Sequence, residues 1–287
     1  MGQILDGKKI SAEVYADIRR RCEILAKKGV KPGLATVLVG DDPASHVYVG
    51  QKIKKCRENG LESIHCPLPA DISQSDLLTK VQELNRNPQV HGMIVQLPLP
   101  KHIDPEPIIQ AIDPKKDADG LHPLNQGLLG RLKNWSEISK SGIPLSCTPF
   151  GVIYMLLHEK ITVSGKNAVV LGRSTLVGKP VAQLLLSLDA TVTIAHSRTV
   201  NIADVCRKAD ILVAALGQKE FVKGDWVKAG AVVIDVGISR TESGLKGDVD
   251  FAAVSKVASW ITPVPGGVGA MTVAMLLQNT VSLSEYH

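Results

Sequence analysis

No stretch of these 287 residues strings together the ~18 apolar residues that a membrane-spanning helix needs, so no membrane partner is expected. Aromatic side chains make up only 3% of the chain, and it has neither a Lys/Arg block nor basic residues interleaved with aromatics. A nucleic-acid face is therefore not expected, and a net charge of only +5 suits a small anionic ligand better. Cysteine is scarce too: Cys22, Cys56, Cys66, Cys147 and Cys206 are odd in number, widely spaced and never paired as C-x-x-C. That spacing supports neither a disulfide framework nor a zinc site, so no metal is expected and a reducing, cytoplasmic setting is the default. The opening MGQILDGKKI has no apolar signal region, and Asp6 stands where a myristoylation signal wants Ser or Thr, which predicts a soluble protein. Repeats and low-complexity tracts are lacking, and the length allows two domains or one large one with ample core.

What the chain does have is an alternation of strand and helix patterns almost from its start, which predicts an α/β protein with parallel sheets and crossover helices. In a first block, Ile10, Val14, Ile18, Cys22 and Leu25 make one helical face ended by Gly29, residues 34–39 read as a strand, and residues 45–59 read as a helix stopped by Gly60. A strand over 61–65, a helix over 73–84, a short buried strand over 92–95 and a helix over 105–112 follow. From Pro114 to Cys147 periodicity is lost among several glycines and prolines, which reads as a long functional connection with a hinge. A second block begins near Thr148, with strands at 168–171, 191–195, 211–215 and 232–236, and TPVPGGVG at 262–269 precedes a last helical pattern.

The segment AVVLGRSTLVGKP, from Ala168 to Pro180, reads as a phosphate-binding turn. A strand ending in glycine lets backbone approach a pyrophosphate, and the following helix offers unpaired N–H groups and the positive end of its dipole. The spacing Gly172, Arg173, Ser174, then Gly178 departs from G-x-G-x-x-G, so the match is to the mechanism. A fold of this kind that binds NAD carries an acid about 20 residues on, against the ribose 2′-hydroxyl. Here the second strand ends in His196-Ser197-Arg198-Thr199, with hydroxyls and a guanidinium instead. These groups suit a 2′-phosphate, and Arg173 adds a fork able to grip phosphate oxygens in pairs, so NADP is favoured over NAD. Solvated arginines at loop tips are the plainer alternative.

The first block carries chemistry of its own. Tyr48 and Lys52 lie four residues apart and share a helix face after the loop Gly40-Asp41-Asp42-Pro43. A tyrosine offers a flat surface to a planar ligand, and a desolvated lysine can move protons near neutral pH. Taken alone, such a pair is more often a surface feature. Gln96 follows the strand 92–95, at a carboxyl strand end where ligands bind in open α/β sheets. Asp119, in KDADG, stands in a turn and could accept from an amino-substituted ring, although Asp-Gly turns are commonly only structural. TPVPGGVG gives a stiff, exposed backbone able to approach a ligand, or simply a tight loop before a helix.

Together, SHVYVGQK (45–52), VQLPLP (95–100), KDADG (116–120), GRSTLVGKP (172–180), HSRT (196–199) and TPVPGGVGAMT (262–272) resemble the bifunctional methylenetetrahydrofolate dehydrogenase/cyclohydrolase family, often called FolD. The resemblance spans nearly the whole chain, with six motifs in the family's order. It implies NADP-dependent oxidation of 5,10-methylenetetrahydrofolate to the 5,10-methenyl form, then hydrolysis to 10-formyltetrahydrofolate in the same cleft. By similarity, Lys52 is the catalytic lysine of the hydrolytic step, Tyr48 stacks on or bonds to the folate, Gln96 holds the lysine and Asp119 anchors the pterin. Leu97, Pro265, Gly266 and Gly269 would complete the folate side. Thr148, Gly172, Arg173, Ser174, Ser197, Ala215, Ile238 and Thr272 would bind the cofactor. The implied architecture is a three-layer α/β folate domain over residues 1–144, completed by a helix over 270–287, and a Rossmann-like NADP domain with a parallel sheet over 145–269. The folate cleft would lie between them, and a homodimer would form through a glycine-containing strand region of the cofactor domain.

Two departures limit this carry-over. The family usually reads GVGPMT where this chain has Gly269-Ala270-Met271, and CTP is usually followed by a basic residue where Phe150 stands here. Neither removes a proposed catalytic group. Two other classes stay open at this point: a shikimate-type NADP dehydrogenase, which would use a similar pair of domains, and a non-catalytic nucleotide-sensing protein, which would have no need of Tyr48, Lys52, Gln96 and Asp119 together.

Overall fold

The computed structural model describes residues 2–242 and 244–286. The chain divides into two compact units that do not follow chain order. One comprises Glu13–Leu129, Gly142–Leu145 and the chain from Val273; the other comprises the chain through Ala12, Gly130–Ser141 and Ser146–Thr272.

The first unit is built on a three-stranded parallel sheet, in the order Glu62–Leu68, Gly33–Val39, Gly92–Val95. The central strand, GLATVLV, is buried along its whole length, as expected of a parallel strand covered on both faces. Ala35, Val37, Leu77, Val81, Met93 and Ile108 belong to the core against which the helices pack. Helix Pro43–Glu58 starts where its sequence says it should: Pro43 sits in the first turn, and the Asp42 carboxylate accepts from the Ser45 N–H at 2.8 Å. Ser73 caps helix Gln74–Arg86 in the same way. The stripe Ile10, Val14, Ile18, Cys22 and Leu25 on helix Gly7–Ala26 is buried as its spacing predicts.

The aperiodic segment after Pro114 is not a bare connection. It holds two short helices, Pro123–Leu129 and Trp135–Lys140. At fewer than two turns each, they are too short to show a helical period. The second is held by a capping arrangement, in which Asn134 Oδ1 accepts from the Glu137 N–H at 3.0 Å and Glu137 accepts from the Lys133 N–H at 2.9 Å.

The second unit contains a six-stranded sheet in the order Gln3–Ile4, Trp260–Ile261, Val232–Asp235, Ile211–Ala214, Asn167–Leu171, Thr191–Ala195, parallel throughout. From Asn167–Leu171 the chain moves to Thr191–Ala195 on one side, then returns to Ile211–Ala214 on the other. Strand order therefore reverses at the carboxyl end of Asn167–Leu171, the place where open α/β sheets take their ligands. A hairpin of Ser239–Thr241 with Gly244–Lys246 stands apart from this sheet. Among the described residues no helix is long and apolar enough to cross a membrane.

Candidate active site

In the first unit, the site is organised around one buried lysine. Lys52 is only 9% exposed, and Tyr48, one turn earlier on the same helix, is half-buried. The Lys52 ammonium donates to the Gln96 amide oxygen at 2.9 Å. Gln96 is in turn fixed at both ends: its backbone N–H donates to the Val37 carbonyl at 2.9 Å, prolonging the sheet by a residue, and its amide nitrogen donates to the Leu97 carbonyl at 2.6 Å. The amide oxygen therefore has one orientation left, facing the lysine. One turn beyond Lys52, burial pushes the Cys56 thiol up to about 12 despite the lysine charge pulling it down, so that sulfur stays protonated and is no nucleophile.

Asp119 reaches the same sheet end by a different route. The Met93 N–H donates to the Lys116 carbonyl at 2.6 Å and the Ala118 N–H to the Met93 carbonyl at 3.2 Å, so residues 116–118 run parallel to strand Gly92–Val95. Gly92 permits this approach, since a β-carbon there would lie 2.9 Å from that of Ala118. Asp117 shapes the turn that follows, accepting from the N–H groups of Leu121 and His122 and from the Asn125 amide at 3.2, 2.9 and 2.9 Å. Burial raises the Asp117 carboxyl above its usual range, against the pull of those donors. Asp119 itself is half-buried beyond this brace.

In the second unit, the glycine turn closes on itself. Gly172 has φ +113°, and a β-carbon on it would lie 2.2 Å from the Ala215 carbonyl oxygen; one on Gly178 would lie 2.3 Å from the Gly172 carbonyl oxygen. Only glycine fits either place, which gives the close backbone approach a dinucleotide phosphate requires. The Ser174 hydroxyl oxygen accepts from the N–H groups of Val177 and Gly178 at 3.2 and 3.3 Å, which ties the turn to the start of helix Gly178–Ser187. Arg173 and Ser174 are exposed at the turn. Leu171 pairs with Ala195 in the parallel register, so Arg173 and Ser197 each stand two residues past that pair, at one sheet end. Thr199 folds the HSRT turn back, accepting from the His196 N–H at 2.9 Å, and leaves Ser197 and Arg198 exposed.

The glycine-rich run completes this unit. The last helix, Val268–Ser284, starts inside the run rather than after it. Gly269 faces Ile238, whose methyl end would lie 3.3 Å from a β-carbon added there, and the Thr148 and Thr272 hydroxyls are hydrogen-bonded at 2.9 Å. Pro265 is exposed, and Gly266 has φ +106°. Sequence reasoning missed the support beneath this loop: the Lys8 N–H donates to the Gly266 carbonyl at 3.1 Å, and a β-carbon on Gly7 would lie 2.0 Å from the Gly267 carbonyl oxygen.

It also missed two acids. Asp235, at the end of strand Val232–Asp235, accepts from the N–H groups of Gly237, Asp248 and Val249 at 3.0, 2.9 and 2.9 Å. Burial pushes its carboxyl up to about 7, against the pull of those N–H groups. Asp248, with no exposed surface, accepts from the N–H groups of Leu216, Gly217 and Gln218. The available signal was an acid closing an apolar run just before a glycine, in VVIDVG. Among the described residues no group of three or more His, Cys, Asp or Glu is placed to hold a metal.

Comparison with known proteins places the chain in a family. Residues 5–119 match the family described as tetrahydrofolate dehydrogenase/cyclohydrolase, catalytic domain, and residues 146–287 match its NAD(P)-binding domain. A curated relative from Anaeromyxobacter dehalogenans, named bifunctional protein FolD, is 53% identical over 283 residues, covering 98% of each chain. The crystal structure of the bifunctional FolD methylenetetrahydrofolate dehydrogenase/cyclohydrolase from Campylobacter jejuni superposes with a TM-score of 0.94 at 43% identity, covering 100% of this chain and 99% of that one. The Trypanosoma brucei enzyme, solved with NADP cofactor and an inhibitor, gives 0.93 at 39% identity over 99% and 98% of the two chains. With both family domains matched in order and near-complete coverage of such relatives, the shikimate-type and sensing readings fall away, and the chain belongs to the tetrahydrofolate dehydrogenase/cyclohydrolase family.

Proposed function

We propose that this protein oxidises 5,10-methylenetetrahydrofolate to 5,10-methenyltetrahydrofolate with NADP and then hydrolyses the methenyl bridge to 10-formyltetrahydrofolate. Lys52 and Gln96, which carry the hydrolytic step, belong to the unit of the three-stranded sheet, and the glycine turn that would take the cofactor belongs to the unit of the six-stranded sheet. The observation that carries this reading is the buried Lys52 ammonium held on Gln96 at 2.9 Å, at a carboxyl strand end. Family membership supplies the substrate class.

Hydrolysis has a definite proton balance. Water adds its oxygen to the cationic bridging carbon and loses a proton. The bond from that carbon to N5 then breaks, N5 gains a proton, and the added hydroxyl loses its own as it becomes the formyl carbonyl, so one proton is released overall. Lys52 Nζ, held still by an amide that is itself braced at both ends, moves a proton between the adding water and N5. Tyr48 would lie against the folate ring, with Leu97 beside it. Asp119, positioned by the Asp117 turn, would accept from the pterin N–H groups. Pro265, Gly266 and Gly269 would complete the folate side.

The oxidation asks less of the side chains, because the bridging carbon readily gives up a hydride once its acceptor is held against it. NADP, when bound, supplies that acceptor. The clearance at Gly172 and Gly178 fits a pyrophosphate. Arg173 and Ser197, leaving one sheet end together, would hold the 2′-phosphate where an NAD enzyme has an acid. Ser174, Thr148, Ala215, Ile238 and Thr272 would line the rest.

A homodimer is supported by the edge strand Thr191–Ala195, where Ile194 is 41% exposed, and by Leu186 on helix Gly178–Ser187, 60% exposed. A cytoplasmic setting is supported by Cys22, Cys56, Cys66, Cys147 and Cys206 standing as thiols and not as disulfides.

The decisive variant is Lys52→Met. It should reduce hydrolysis of supplied methenyltetrahydrofolate by about 10³-fold or more, with the melting temperature and NADPH affinity nearly unchanged. Undiminished hydrolysis in a folded variant would sink the assignment.

A further inference from the structure

Asp235 and Asp248 take part in none of the steps above, yet both are buried and both end their reach in backbone that surrounds the proposed cofactor site. We propose that these two carboxylates are positioning residues for the dinucleotide, linked in series so that Asp235 sets the backbone of Asp248 and Asp248 sets the turn at residues 215–218. The proposal rests on the reading of this unit as the NADP binder.

The series can be followed atom by atom. Asp235 Oδ1 accepts from the N–H of Asp248 itself at 2.9 Å and from Gly237 at 3.0 Å. The Asp248 side chain then turns toward the other loop, Oδ2 accepting from Gly217 at 3.0 Å and also from Leu216, and Oδ1 from Gln218 at 2.7 Å. The residue immediately before those three is Ala215, whose carbonyl oxygen is the atom that a β-carbon on Gly172 would strike at 2.2 Å. A shift of the 215–218 turn therefore moves the wall of the glycine turn. On the opposite flank, Asp235 ties down Gly237, the neighbour of Ile238.

Two further features show that the carboxylates are fitted to this place. A β-carbon on Gly237 would lie 2.1 Å from Asp248 Oδ1, and one on Gly247 would lie 1.9 Å from Asp235 Oδ2. Each acid thus occupies the volume that a particular glycine leaves open. Both oxygens of Asp248 face N–H donors, an arrangement an amide cannot satisfy, because one of its two ends would present N–H groups to N–H groups. Burying a carboxyl group fully is unfavourable unless donors converge on it, as they do on Asp248, so an ordinary loop tie has no reason to be an acid here.

The test uses the full-length protein and two variants, Asp248→Asn and Gly237→Ala, the second adding a single methyl group that displaces the Asp248 carboxylate. NADPH affinity is read directly by fluorescence titration, alongside dehydrogenase kinetics and the hydrolysis of supplied methenyltetrahydrofolate, which consumes no cofactor. The expected result is a dissociation constant for NADPH raised by about tenfold or more in both variants. KM for NADP should rise in parallel, with kcat at saturation and methenyl hydrolysis held within a few-fold. An unchanged NADPH dissociation constant in either folded variant overturns the proposal, and so does a parallel loss of binding and hydrolysis, which marks a general loss of structure. Should Asp248→Asn not fold, Gly237→Ala decides alone. A wild-type protein that binds no NADPH would instead overturn the cofactor reading itself.

Discussion

A β-carbon placed on Gly172 would stand 2.2 Å from the carbonyl oxygen of Ala215, at a residue whose φ is already +113°. Gly172→Ala must therefore both strain its backbone and push the neighbouring loop away. Such strain alone costs on the order of 1–3 kcal/mol, and it falls on the turn that receives the phosphates. NADPH binding should weaken by about tenfold or more while methenyl hydrolysis stays close to wild type. Fluorescence titration against a hydrolysis assay separates the two, and equal affinity in the variant would remove the turn from the cofactor site.

Gln96 offers a complementary test within the first unit. Gln96→Ala removes the oxygen that accepts from Lys52 Nζ, while the strand pairing through the Gln96 backbone remains. The lysine keeps its place on the helix and loses its aim. Hydrolysis should fall by about 10²-fold, with the pH dependence of the rate displaced, because the environment of the ammonium changes. A rate reduced without any change in the pH profile would limit Gln96 to substrate binding.

Arg173 is exposed beside the turn, and no acid stands at the end of the second strand to favour NAD. Arg173→Ala should lower kcat/KM with NADP by about 10- to 100-fold, the worth of one or two charge-assisted bonds to phosphate, and leave the NAD value nearly as it was. The ratio of the two is the measurement. Equal losses with both cofactors would place Arg173 on the pyrophosphate instead.

Asp235 gives a pH signature. Its carboxyl is pushed up to about 7 by burial, so between about pH 4 and pH 7 the folded protein holds a proton that the unfolded chain has released. Stability from this group is thus present at the acid end of that window and is lost as pH rises through it, by an amount on the order of a few kcal/mol. Asp235→Asn removes the titration. The difference in melting temperature, variant minus wild type, should increase steadily from pH 4.5 to 7.5, whatever its starting offset. A flat difference would mean that Asp235 is ionised throughout.

The sequence showed a good deal of this arrangement, and what it hid was hidden for physical reasons. Long regular elements carried their own signal: the stripe from Ile10 to Leu25 is buried, and the alternation from Thr191 to Ala195 matches an edge strand to the residue. Strands of two residues, such as Gln3–Ile4 and Trp260–Ile261, contain a single period of alternation with no repeat to mark it, and are held by the partner they pair with. Helix Trp135–Lys140 has a local signal, Asn134 with Glu137 three residues on, but no second turn to confirm it. At the site, Lys52 and Gln96 stood out through position at helix face and strand end. Asp235 and Asp248 did not, since an acid at a strand end or in a loop looks alike whether it faces water or a ring of backbone N–H groups.

The pairing of Gln3 with Trp260 and of Ile4 with Ile261 has a consequence for how the protein is made. On the ribosome, the first strand to emerge is the last to find its neighbour, since more than 250 residues must be translated before Trp260–Ile261 exists. Until then the nascent sheet has a raw border where that pair will lie, and the amino-terminal strand has nowhere to go. Such long-range closure is intrinsically slow and leaves strand edges open to other chains. The appearance of Trp260–Ile261, and not the folding of the strands before it, is the event that lets this sheet acquire its outer strand.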